Sequence, residues 1–212
     1  MKKVLFTFLA LLLTCSLYAQ SNVKVSLRVA PGVSFNRVNA SETANSPVEN
    51  DGSGLRFSAG PVLDFFFADQ YAFSTGLWFT PRRVGLSQVP SSGASLQAVY
   101  GLQYLQLPAA IKLFTNEIAT DTRMYFVIGE TTDIKINERR REGDRLGDKV
   151  FKPYDIGLLM TIGAELLMGQ NTTGFAGLTY NRGLVNALRN APAFNDVTLK
   201  NDFIGIEVGI KF

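Results

Sequence analysis

Arg139, Arg140 and Arg141, with Arg145 and Lys149 close behind, make the densest cationic run in the chain. Guanidinium groups packed this closely suit phosphate oxygens, and lipopolysaccharide phosphate is their candidate ligand. Glu138, Glu142, Asp144 and Asp148 interleave with them, so a solvated, charge-balanced loop is the favoured interpretation. Catalysis has less to work with. The chain holds no histidine, and its one cysteine is Cys15 in the first segment. A paired Asp or Glu would have to supply both general acid and general base, without the residue that most often does so near neutral pH. Metal binding lacks its usual nitrogen and sulfur ligands, and no acidic cluster has calcium-loop spacing, so neither a metal nor another cofactor is expected.

The remaining charged residues are spread singly along alternating segments. Arg28, Arg56, Asp64, Lys112, Arg123, Asp133, Lys135, Asp155, Glu165, Glu207 and Lys211 each fall among small or polar residues on the face opposite an apolar one. Charges of both signs, each buried alone, need partners. Arg28, Glu207, Lys112, Glu165, Asp64 and Asp155 are accordingly expected to form an interior ion-pair network, with Arg28 and Glu207 meeting where the last strand closes beside the first.

The elements that place these residues follow from a period of two. In the closing stretch Ile204, Ile206, Val208, Ile210 and Phe212 share one side of an extended strand, while Phe203, Gly205, Glu207, Gly209 and Lys211 share the other. Similar alternation starts at Val23 and recurs over residues 55–67, 71–80, 100–114, 122–137, 154–166 and 173–184. Pro31 and Pro108 are expected to mark bulges, since proline cannot donate to a ladder. Between these strands lie long polar segments at 36–54, 81–99, 138–152 and 185–200, and short ones at 68–70, 115–121 and 168–172. Long and short connections alternate, as in outer-membrane barrels with short periplasmic turns and longer outer loops. Trp78 and the run from Phe65 to Phe67 are expected at the lipid face or its interface.

The first segment differs from the rest. Lys2 and Lys3 precede an apolar run from Val4 to Leu13, and a small residue, Ala19, stands before Gln20. Residues 1–19 are expected to be a secretory signal peptide, the run being too short to span a bilayer. Cys15 raises a lipoprotein alternative, against which Thr14 is a poor preceding residue. The formal charge is +3, and without Lys2 and Lys3 it is +1, which is not the charge of a nucleic-acid binder. Without cysteine in residues 20–212, stability must come from a core or from closure of the sheet. The fold expected for 20–212 is an all-β, eight-stranded antiparallel up-and-down transmembrane β-barrel, placed in the outer membrane of a Gram-negative bacterium with both ends of the barrel chain periplasmic.

The stretch Tyr104-Leu105-Gln106-Leu107-Pro108, followed by Lys112, resembles the PorT-like family of Bacteroidota outer-membrane barrels. Gly129, Asp155-Ile156-Gly157 and Gly163-Ala164-Glu165 add to the resemblance, while Gln106 stands where an acidic residue is usual. The resemblance implies barrel architecture and, through its named member, an association with type IX secretion. Barrel phospholipases, deacylases and omptin-like proteases share the expected shape but use a histidine. The function expected is therefore non-enzymatic, with a structural, surface-binding or envelope-assembly role. An accessory part in a type IX-like secretion apparatus and a narrow porin-like channel are the alternatives. Expected partners are outer-membrane lipid and lipopolysaccharide, with secretion or envelope proteins as further candidates.

Overall fold

The computed structural model describes residues 22–40, 48–50, 53–88, 96–143, 150–189 and 197–212. The expected signal peptide, together with Asp144, Arg145, Asp148 and Lys149, lies outside them. Among the described residues ten strands form one antiparallel sheet: β1 (Val23–Ala40), β2 (Val48–Asn50), β3 (Gly54–Ala68), β4 (Tyr71–Gly76), β5 (Trp78–Gln88), β6 (Leu96–Ala119), β7 (Thr122–Gly143), β8 (Tyr154–Leu167), β9 (Thr173–Gly183) and β10 (Val197–Lys211). β4 and β5 are one wall strand broken at Leu77, and β2 pairs only with the upper part of β5, so eight strands close the ring. Closure comes from β1, which pairs with β3 on one side and β10 on the other.

The expected apolar faces point outward. Leu27, Val29, Phe65, Phe67, Ile128, Ile204, Ile206 and Val208 are exposed, while Ser26, Arg28, Asp64, Lys112, Glu165 and Glu207 are buried. This inverts a soluble sheet and follows from a wall whose outer solvent is hydrocarbon. Phe66 turns to the interior, where it stacks on Phe114 at 5.4 Å between ring centroids. Trp78 departs from its expected lipid or interfacial position. It shares parity with Thr80 and Arg82, and all of them are buried in the lumen.

Several boundaries differ from expectation in the same direction. β5 continues through Pro81 to Gln88, β6 starts at Leu96, and β7 runs on to Gly143, so Arg139, Arg140 and Arg141 stand on a strand instead of in a loop. The turn expected over 115–121 contracts to Thr120 and Asp121. Neither Pro31 nor Pro108 sits at a register shift. The bulges between β6 and β7 fall at Val99/Tyr100 and Gln103/Tyr104, and at two places near the short turn. Pro108 acts on its neighbour instead. Pro61 of β3 and Pro108 of β6 flank the wall strand at Leu77 and Gly76, each withholding one ladder donor, and there the strand breaks into β4 and β5.

Candidate functional site

The interior is a stack of polar layers. Nearest the short turns, Glu165 of β8 accepts from Arg123 of β7 at 2.6 Å and also from Lys211 of β10. Arg123 and Glu165 are direct cross-strand partners, and the guanidinium lies 4.0 Å from the Phe114 ring centroid. This layer forms the floor of a recess of about 510 Å³ that opens at the short-turn end, with Lys24, Phe66 and Gln170 on its walls.

One layer higher, Lys112 of β6 donates to Asp64 of β3 at 3.0 Å, and Ser74 Oγ donates to the same carboxylate at 2.7 Å. Lys112 must reach across a whole strand. It can do so because its register partner is Ala72, whose side chain leaves the way clear. Alongside, Arg28 Nε donates to Glu207 at 3.0 Å and its guanidinium lies 3.8 Å from the Trp78 ring centroid. These two residues are diagonal neighbours, since Arg28 pairs in register with Gly209. Tyr125 Oη donates to Glu207 at 2.7 Å. Its ring lies over the register partners Gly163 and Gly177, where a Cβ on either would collide with the phenol. The glycines are thus the slot that aims the hydroxyl. The cavity left among Arg28, Lys112, Trp78 and Glu207 is about 20 Å³, room for no more than a water molecule.

Above a band of hydroxyl and amide bonds, Arg82 of β5 binds both Asp133 of β7 and Asp155 of β8, the latter at 3.1 Å, and Asn201 donates to Asp155 at 2.8 Å. Asp133 and Asp155 are direct register partners. Two carboxylates facing each other across a ladder repel, and Arg82, reaching over the lumen, is the cation between them. Of the residues expected in the interior network, Arg28 is brought to Glu207, Lys112 to Asp64, and Glu165 and Asp155 to cations that were not in that set. Arg82 escapes a sequence-based list because residues 81–99 read as a loop, although the parity of Trp78, Thr80, Arg82 and Val84 carries straight through.

The upper interior is apolar. Segments 150–152 and 187–189 fold inward and bridge at Phe151 and Leu188, held by Lys152 N–H to Ala187 O at 2.8 Å and Arg189 N–H to Val150 O at 2.9 Å. Phe151 and Leu188 pack with Val84, Tyr100, Leu102 and Leu199 into one buried cluster. Its edge is tied by Lys135, which donates to Glu138 and to Phe151 O, and by Val150 N–H to Glu138. Arg139 and Arg140 are exposed at the rim. Arg141 is exposed too, but its side chain lies over Gly101. Among the described residues no group of three or more His, Cys, Asp or Glu gathers as a metal site.

Two solved barrels share this fold. Neisserial surface protein A is 17% identical with a TM-score of 0.50, and the match covers 90% of this chain and 96% of that one. OprG from Pseudomonas aeruginosa is 13% identical with a TM-score of 0.53, over 90% of this chain and 96% of that one. At such identities the likeness shows the fold alone. No curated protein matches the chain. Residues 18–189 match the family described as the outer membrane protein beta-barrel domain, and on that span the chain belongs to this family of outer-membrane barrels.

Proposed function

We propose that the protein is a non-enzymatic barrel of the Gram-negative outer membrane, with both ends of the barrel chain periplasmic, that serves as a structural or surface-binding protein and not as a channel. The observation that carries this is the filled lumen. Ion-paired layers occupy its lower and middle parts, and the Phe151 and Leu188 cluster occupies its upper part. Eight strands enclose just enough space for side chains to fill. The variable surface is then the outer rim, and the partners on this reading are outer-membrane lipid and lipopolysaccharide. The test has two arms. Detergent-extracted protein is run unboiled and boiled on a gel, and the same preparation is placed in planar bilayers. A mobility shift on boiling with no steady conductance is expected. Steady conductance would make the narrow channel correct, and release by salt without a shift would remove the protein from the membrane altogether.

A second reading, an accessory part in a type IX-like secretion apparatus, draws on the open recess at the short-turn end and on the PorT-like motif residues. In that motif Gln106 and Lys112 face the lumen and Pro108 sits at the strand break. These are architectural jobs, so they support kinship more than secretion. Loss of secreted protein on deletion of the gene, restored by the wild-type chain, would favour this reading.

A further inference from the structure

The upper rim carries arginines that the lumen does not use. Arg83 of β5 is the register partner of Gly101 on β6, and Arg141 lies over that same glycine, with its Nε 2.8 Å from where a Cβ would stand. On the other side Arg83 meets Arg56 of β3. Above Gly54 the Arg83 Cδ and the Arg56 Cζ come to 3.3 and 3.6 Å of one point. The like charges acting on Arg56 are those of Arg141 and Arg83. Three strands therefore bring three arginines to neighbouring positions, Arg56 and Arg83 meeting above Gly54 and Arg141 lying beside Arg83 over Gly101.

Among the described residues no carboxylate pairs with any of the three. Arg56 donates only to the Leu55 carbonyl, at 2.6 Å, and Arg83 Nε is buried with no hydrogen-bond partner. Like charges held this close without a counter-ion repel, and a shared anion removes the repulsion while filling the free donors. The neighbouring wall is apolar. Phe79 lies on the same face of β5 as Arg83, its ring 6.2 Å from Phe57 of β3, and Leu55 beside Arg56 is 80% exposed.

We propose that Arg56, Arg83 and Arg141 form a binding site for a phosphate group at the outer rim, with Phe57, Phe79 and Leu55 placed for the hydrocarbon of a phosphate-bearing lipid. The site rests on the membrane reading above. It also relocates the cationic contact expected of Arg139, Arg140 and Arg141, since only the last of these joins the cluster.

The test is native mass spectrometry of the full barrel in a neutral detergent, with phosphatidic acid, phosphatidylcholine and inorganic phosphate as probes. Wild-type protein is expected to retain phosphatidic acid over phosphatidylcholine. Arg83→Gln weakens retention roughly tenfold, the usual scale for one charge-assisted hydrogen bond, and the combined Arg56→Gln, Arg83→Gln, Arg141→Gln variant loses the preference. Arg139→Gln with Arg140→Gln, which removes two rim charges outside the cluster, keeps it. Displacement of the lipid by inorganic phosphate would assign the site to a soluble phosphate, and resistance to displacement would assign it to the lipid headgroup. The proposal is overturned if the triple variant retains the wild-type preference, or if the Arg139, Arg140 control loses it equally. A heat-dependent gel shift is checked for every variant. A closed barrel indifferent to phosphate removes this site and leaves the membrane reading standing.

Discussion

Two three-charge centres in the lumen are built to opposite stoichiometry. Near the short turns one carboxylate, Glu165, is shared by two cations, Arg123 and Lys211. Toward the other end one cation, Arg82, is shared by two carboxylates, Asp133 and Asp155. Their surroundings differ as much as their signs. The Arg123 side chain is 31% exposed, whereas those of Arg82, Asp133 and Asp155 are 2%, 1% and 1% exposed. In the lower centre Arg123 lines an open recess and can exchange a lost partner for water, while Glu165 and Lys211 are buried. The upper one lies beneath the Phe151 and Leu188 cluster, so its charges are satisfied by one another and by fixed neighbours such as Asn201 and the Ile156 N–H, with no recess among the described residues opening onto them. Similar ion pairs are thus adjustable at one mouth and obligatory below the cap.

Breaking the upper centre should have the largest effect. Arg82→Met strands two facing carboxylates and is expected to cost about 3–5 kcal/mol. Urea unfolding of the barrel in phosphocholine bilayers, followed by gel mobility, would measure this. Adding Asp133→Asn and Asp155→Asn should recover much of the loss, and an Arg82→Met barrel as stable as wild type would show that the centre is not obligatory. Glu165→Gln is the matching cut below. It leaves Lys211 buried beside a neutral amide while Arg123 turns to solvent, and a loss of roughly 1–3 kcal/mol is expected in the same assay. Arg123→Met is the smallest, about 0–1 kcal/mol because its charge is partly screened by water. If Arg123→Met proved as costly as Arg82→Met, the contrast between open and sealed ends would collapse.

The legible part of the fold was the part immersed in two different solvents. Between Val23 and Phe35, or Ile204 and Phe212, one face meets hydrocarbon and the other a polar lumen, so residue type alternates and the strand declares itself. Past the apolar belt both faces of a strand meet water or protein, and that contrast vanishes. Arg139, Arg140 and Arg141 on β7 and the segment Pro81–Gln88 on β5 are ladder-paired yet read as loops for this reason. The inward side of Asp64, Lys112 and Glu207 was readable from parity, but not which charge each would meet. Lys112 finds Asp64 across Ala72 through register and the small side chain between them. Phe151 and Leu188 were beyond reach, each standing in a short apolar pair, Val150-Phe151 and Ala187-Leu188, within a polar segment with no period to reveal it.

The break at Leu77 has a mechanical consequence. Proline on both flanking strands leaves the Gly76 and Leu77 carbonyls without ladder donors, although Leu77 N–H still reaches Pro61 O at 3.2 Å. The cylinder is therefore creased along one line, with side-chain packing in place of missing rungs: Trp78 under Arg28 within, Phe57 against Phe79 without. Above that crease stand Arg82 and Arg83, one turned to the sealed interior and the other to the rim. The same line of missing rungs thus runs beneath both the sealed charge centre and the rim arginines.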